Sequence, residues 1–321
     1  MSGERQWWPV YLKHGARIHA EQMGRHKVAR LFGLDLNSAR RLCYHIKVHG
    51  PPFCRDVAPE VHREEAPVHM VIGDAHAAPG QDLRRFEWAA RFALDHRPDV
   101  VISIGDWYGL DSLCKHHSKL EGEGLRLLDD LKAGNAALKR FGDVLNTHNR
   151  INPDDFYMPR LVVTLGNHDA RIIREAADHP QLEGLLGYQL MDWESWGWEV
   201  VPFKQPIEID GVHYCHYFTR SGSPRAMSGM HHAAALIREG MGRSLVCGHS
   251  HQLHYYTKAA GISGKRAHGL VVGCFFEHWE HYASTGNQQW WRGLVLLRNV
   301  IDGDFDLELW SMDRIKDRYN V

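Results

Sequence analysis

The stretch VVTLGNHDAR, residues 162–171, runs an apolar, β-branched segment into Gly166 and then places Asn167, His168 and Asp169 in succession. Such a run favours a buried strand, and glycine lets the backbone turn sharply at its end. The strand reads as a rigid post, with residues able to bind metal or move protons at its tip.

Two more runs have the same form. VHMVIGDAH (68–76) ends in Asp74 with His76 close behind, and DVVISIGDW (99–107) ends in Asp106. Between these two, Leu83, Phe86, Ala90 and Ala93 recur at helical spacing; before the third run, Leu128, Leu131, Leu138, Phe141 and Leu145 do the same. Strand and helix in alternation predict a parallel sheet with right-handed crossovers. After residue 195 the pattern changes to WEVVPF, VHYCHYF, RSLVCG, HGLVVGC, GLVLLRN and FDLELW, with one helix around MHHAAALIREG. This half predicts a second, partly antiparallel sheet. The expected fold is therefore α/β: for residues 66–321, a four-layer αββα sandwich of two mixed sheets packed face to face.

Residues 1–65 read as a small all-α region that ends in a charged, proline-containing linker, RDVAPEVHREEAPVH. Within it, RHKVARLFGLDLNSARRLCYHIKVHG (25–50) resembles a helix-turn-helix. Val28, Ala29 and Leu31 mark the first helix and Gly33 the turn. Asn37 or Ser38 would cap a second helix that buries Ala39, Leu42 and Ile46. Arg40, Arg41 and Lys47 are then free to meet phosphates or base edges. A helical hairpin that only packs on its neighbour is the plainer reading.

Bulk properties exclude little. In 321 residues, 44% hydrophobic and 24% charged, no apolar run reaches membrane-spanning length. The N-terminus lacks the apolar core of a signal peptide, so a cytoplasmic protein is expected. A net charge of −1 is silent on nucleic acid, because a local basic patch can hide in a neutral total. Six scattered cysteines without a C-x-x-C pair predict reduced thiols rather than a disulfide frame.

The strand ends now align. His216 sits in or just after VHYCHYF, and His249 and His251 follow RSLVCG. In α/β sheets the crevice lies at the carboxyl ends of the strands, where distant residues converge. Glycines 73, 105, 166 and 248 are expected to provide the turns there. Two Asp, one Asn and four His, besides His168, are too many ligands for one metal and suit two that share a carboxylate. Two divalent ions, two carboxylates and a bridging hydroxide leave a net charge of about +1, which attracts phosphate.

The ordered blocks D-x-H, G-D, G-N-H-D, H and G-H-x-H resemble the calcineurin-like metallophosphoesterases, over about residues 68–255. The stretch GDW…LDSLCKHHSK is also similar to phage-encoded members of that family. The resemblance implies that Asp74, His76 and His251 hold one metal, Asn167, His216 and His249 the other, and that Asp106 bridges them. It implies a bridging hydroxide as nucleophile, His168 as general acid, and Asp169 behind His168 orienting its ring. Manganese is the expected metal, with iron, zinc or nickel as alternatives. Gly109 and Tyr217 depart from the family pattern without removing a ligand.

For the substrate, Arg171, Arg174, Arg220, Arg225 and His116 or His117 are the candidate phosphate contacts. Trp193, Trp196, Trp198, Trp290 and Trp291 are expected in the core or an interface rather than as base-stacking platforms. The expected activity is phosphodiester hydrolysis on DNA, with the N-terminal region delivering the enzyme. Phosphomonoester or phosphoprotein hydrolysis is the rival, and a non-catalytic DNA-binding scaffold the more distant alternative.

Overall fold

A computed structural model describes residues 10–11, 15, 18–19, 21–49, 66–115, 122–259 and 265–320. His116, His117 and most of the linker lie outside the described residues.

Four strands, β1 (His69–Ile72), β2 (Val100–Ser103), β3 (Arg160–Thr164) and β4 (Trp198–Val201), run parallel in that spatial order. Alternation along each strand sends its side chains to two different cores. Met70, Ile72, Val101, Leu161 and Val163 pack against α3 (Arg84–His96) and α4 (Leu127–Ile151). Val71, Val100, Ile102 and Val162 point the other way, into the second sheet. Each aliphatic side chain buried there contributes about 1.5–3 kcal/mol. The loop after β3 leads into the short α5 (Arg171–Asp178).

The second sheet has the order β5 (Ile207–Ile209), β6 (Val212–Tyr214), β7 (Ser244–Cys247), β9 (Arg266–Val272), β8 (Leu253–Ala259). The central trio is parallel and both edge strands are antiparallel. Tyr214, Val246, Leu270 and Val272 meet the first sheet. Leu236 of α6 (His232–Glu239) covers the outer face with Met227 and Leu245. Helix, sheet, sheet, helix is the four-layer sandwich expected.

The runs WEVVPF, GLVLLRN and FDLELW were expected in the second sheet, but all three join the first, WEVVPF as β4. β10 (Gly293–Ile301) and β11 (Asp304–Ser311) return to the first sheet, antiparallel beside β1. A last helix, α7 (Met312–Tyr319), starts where Ser311 accepts from the Arg314 amide and buries Met312, Ile315 and Tyr319. Leu128 does not face the core as its spacing predicted; it is exposed near the start of α4.

The N-terminal pair α1 (Arg25–Phe32) and α2 (Leu36–His49) encloses its own apolar cluster, with Val28, Ala39, Leu42 and Ile46 buried. Gly33 takes a left-handed conformation between the helices. The cap differs from expectation: Asp35, not Asn37 or Ser38, accepts from the Asn37 and Ser38 amides at 2.9 and 3.0 Å. Leu31 is exposed, because the short first helix has one buried position, Val28. Among the described residues, no helix is long and apolar enough to cross a membrane. Cys43, Cys114, Cys215, Cys247 and Cys274 are free thiols.

Candidate metal centre

Parallel register levels the strand ends: Ile72 pairs with Ser103, and Ser103 with Val163. Asp74 and His76 follow β1, Asp106 follows β2, and Asn167 follows β3. From the second sheet, His216 follows β6, and His249 and His251 follow β7. Two bonds pin the sheets together here: the His249 amide donates to Asp74 Oδ1 at 3.0 Å, and His216 Nδ1 lies 2.9 Å from the Ile104 carbonyl.

Side-chain atoms able to bind a metal fall into two groups, Asp74–His76–His251 and Asp106–His216–His249, each spanning no more than 4.8 Å. Asn167 Oδ1 joins the second group, 2.9 Å from His216 Nε2. Asp106 Oδ2 stands 3.3 Å from His216 Nε2 and 3.7 Å from His76 Nε2, between one imidazole of each group.

The backbone is strained at these points. His76, Asp106, His249 and His251 have φ of 42°, 50°, 71° and 59°, the left-handed region that costs a side-chain-bearing residue about 1–3 kcal/mol. The turning was expected of the neighbouring glycines, but of those four only Gly105 has positive φ. Gly166 and Gly248 serve close approach instead. A Cβ on them would come 2.0 Å from Asp106 Oδ1 and 2.3 Å from Asp74 Oδ1.

Proton placement tests whether these residues suit a metal. A carbonyl only accepts, so the His216 proton belongs on Nδ1 and its Nε2 lone pair faces two oxygens. His76 Nδ1 likewise faces Glu280 Oε1 at 3.0 Å, and its Nε2 is buried with no hydrogen-bond partner. Lone pair against oxygen is repulsive unless a cation lies between them or the ring is protonated. In the metal-free protein burial opposes ring protonation, yet Asp106 and Glu280 push His76 up to about 10. Against the same burial, Asp106 and Asp74 raise His216 to about 9. Burial and His216 push His249 down to about 4. Imidazole, carboxylate and amide donors around buried lone pairs fit first-row divalent ions, manganese, iron, zinc and nickel among them.

Asp169 departs from its expected role, and His168 is oriented by another group. The Asp169 carboxylate accepts from the amides of Asp106, Gly166 and Tyr108 at 2.8, 2.9 and 3.1 Å, bracing the loops after β2 and β3. The orienting partner of His168 is Gly109, whose carbonyl lies 2.9 Å from Nδ1. Arg171 Nη2 donates to His168 Nε2 at 3.0 Å, while Nη1 holds the Gly109 carbonyl and Asp111. Burial, with the charges of His76 and Arg171, keeps His168 well below the usual histidine range, although Asp106 works the other way. In this arrangement His168 is neutral and its Nε2 accepts.

The centre opens into a cleft of about 790 Å³, lined beyond the ligands by Asp111, Asp130, Arg171, His278, Trp279 and Glu280. The last three went unnoticed in FFEHWEH, where no strand end or motif block marks them. Tyr217 packs beside His249 with ring centroids 4.9 Å apart. Arg174 donates to the Asn167 carbonyl at 2.8 Å. Arg220 and Arg225 are exposed and do not line the cleft. Trp193 and Trp198 are core residues, as expected, whereas Trp290 packs edge-on against His251 with ring centroids 4.4 Å apart. Arg40, Arg41 and Lys47 are exposed on α2.

No protein-family model and no curated protein matches this chain. Among solved structures, an archaeal phosphodiesterase aligns at 11% identity and a TM-score of 0.38, over 76% of this chain and 99% of its own. YfcE, a phosphoesterase from E. coli, aligns at 12% identity and a TM-score of 0.37, with 76% and 99% covered. TT1561 of Thermus thermophilus aligns at 13% identity and a TM-score of 0.33, with 77% and 99% covered. Likenesses this loose bear on neither substrate nor mechanism, which must rest on this chain's own residues.

Proposed function

We propose that this chain is a phosphoester hydrolase that uses two divalent metal ions and acts on phosphodiesters, DNA foremost. The placement of Asp106 Oδ2 between His76 and His216, one imidazole from each ligand group, carries the reading. Asp74, His76 and His251 would hold one ion, Asn167, His216 and His249 the other, with Asp106 shared. Two such ions supply positive charge to the phosphoryl oxygens and lower the pKa of water to near neutrality.

The chain's own groups do the rest. Arg171 lies in the cleft with its guanidinium held toward His168, placed to take a phosphoryl oxygen in its fork. When substrate charge draws Arg171 away, the freed Nε2 of His168 takes up a proton from water in the cleft, and the imidazolium so formed passes it to the leaving oxygen. Asp169 keeps the Asp106 and Gly166 loops in register and takes no part in the proton transfer.

The reading of DNA as substrate rests on α2. Its exposed face carries Asn37, Arg40, Arg41, Tyr44 and Lys47, at the helical spacing that brings them to one side. The cleft itself sets the carboxylates of Asp106, Asp111, Asp130 and Glu280 against the guanidinium of Arg171. Affinity for a polyanion must then come from outside the cleft, which suits delivery by the N-terminal helices.

The test sets manganese-loaded protein on linear duplex DNA, single-stranded DNA, a bis-aryl phosphate and an aryl monophosphate, with Asp106→Ala as control. Diester cleavage lost in Asp106→Ala supports the proposal. Turnover of the monoester alone makes the protein a phosphatase, and activity that survives in Asp106→Ala refutes the site.

A further inference from the structure

Glu280 is a carboxylate at the centre that no motif block supplies. It arrives on the segment after β9, which lies beside the β1 loop: the Phe275 amide donates to the Asp74 carbonyl at 2.7 Å. Its backbone is held apart from its side chain. The Glu280 amide donates to Asn287 Oδ1 at 2.9 Å, and Asn287 Nδ2 donates to the Glu280 carbonyl at 2.8 Å. With the main chain fixed, Oε1 meets His76 Nδ1 at 3.0 Å and His278 Nε2 at 2.9 Å. Phe276 stacks on His76 at 5.0 Å and 26°, so the ring has little freedom to turn.

The two ligand groups are therefore backed differently. His216 leans on a neutral carbonyl, that of Ile104, whereas His76 leans on a carboxylate. A carboxylate behind an imidazole fixes the proton on the far nitrogen and makes the near one a stronger donor to a metal.

We propose that Glu280 is a positioning residue for the first ligand group: it holds His76 as the Nδ1–H tautomer and aims Nε2 at the ion between Asp74, His76 and His251. This rests on the metal-centre reading above. It adds that retention of an ion at that group depends on a residue outside the motif blocks. His278, on the same oxygen, steadies the carboxylate from the other side.

The experiment compares wild type, Glu280→Gln and Glu280→Ala loaded with zinc. Affinity is measured by competition with a chromophoric chelator, and the His76 tautomer by long-range proton–nitrogen correlation. The substitutions leave the Asn287 bonds intact, because those use only the Glu280 backbone; matching circular dichroism and melting curves of the chelated proteins check this. The expected result is a loss of about 10–100-fold in affinity for one of the two ions in Glu280→Ala. Glu280→Gln keeps an acceptor oxygen and should recover most of the Nδ1–H tautomer with part of the affinity. Wild-type affinity for both ions in Glu280→Ala, with His76 still protonated on Nδ1, overturns the role of Glu280 alone. A wild-type protein that takes up no zinc overturns the metal-centre reading itself, and this inference with it.

Discussion

Substituting Gly166 with alanine places one methyl group where the Asp106 carboxylate stands. The new Cβ would lie 2.0 Å from Asp106 Oδ1 and 2.5 Å from the Asp106 amide nitrogen, so the carboxylate must retreat by about 1 Å to reach 3.0 Å. Oδ1 now accepts from the His168 amide at 2.7 Å, and that buried bond is lost on retreat. Overpacking of this kind costs about 1–3 kcal/mol, and a hydrogen bond to a charged acceptor contributes about 1.5–3 kcal/mol. Together they predict a loss of about 2.5–6 kcal/mol, read by urea denaturation in chelator so that metal binding does not mask it. A ligand displaced by about 1 Å lies far outside the tolerance of about 0.2 Å for metal coordination. Metal content after dialysis should fall and activity with it. Gly24→Ala is the control, since its Cβ meets nothing within 4 Å and its φ is −74°. A Gly166→Ala protein with wild-type stability and full metal content would refute the close-approach argument.

Three further outcomes are expected. Asp169→Asn, which turns an amino group toward one of three backbone donors, should destabilise the chelated protein by about 1–3 kcal/mol; unchanged stability with a shifted pH–rate profile would return Asp169 to the role of orienting His168. His232 is buried against Cys247, and burial pushes it down to about 4. Above an unfolded value near 6.5 neither state is protonated; between 6.5 and 4 only the unfolded state takes the proton, so stability falls as pH falls. Between about pH 7 and pH 5 this accounts for about 2 kcal/mol. His232→Gln should flatten that slope, and a variant as steep as wild type contradicts the assignment. The triple variant Arg40→Ala, Arg41→Ala, Lys47→Ala should weaken duplex DNA binding and reduce the salt slope by up to about 2.7; unaltered binding removes α2 as the contact.

Much of this site is legible in the chain, for a local reason. Each ligand sits just beyond an apolar run, and parallel pairing carries such ends to one edge, so Asp74, Asp106 and Asn167 are near by topology alone. What resists reading depends on contacts that have no local signature. Glu280 reaches His76 across 204 residues through a segment that belongs to no strand. Asp169 follows His168 in sequence, yet its carboxylate turns to three amides, a choice made by unsatisfied backbone donors in two loops. Gly109 departs from the family pattern, yet its carbonyl holds both His168 and Arg171, a role open to any residue's backbone. The return of β10 and β11 to the first sheet is hidden too, because β10 reads as an apolar run whichever sheet it joins. Helix α7 did have a signal, Ser311 ahead of Met312, Ile315 and Tyr319 at helical spacing.

The most direct measurement is the number of divalent ions bound per chain, in wild type and in Asp106→Asn, by elemental analysis after loading with manganese and dialysis. The account predicts two ions in the wild type and a loss of at least one when the shared carboxylate becomes an amide, with phosphodiester cleavage lost alongside. A wild-type protein that retains no ion, or an Asp106→Asn protein that retains two and still cleaves, would contradict it.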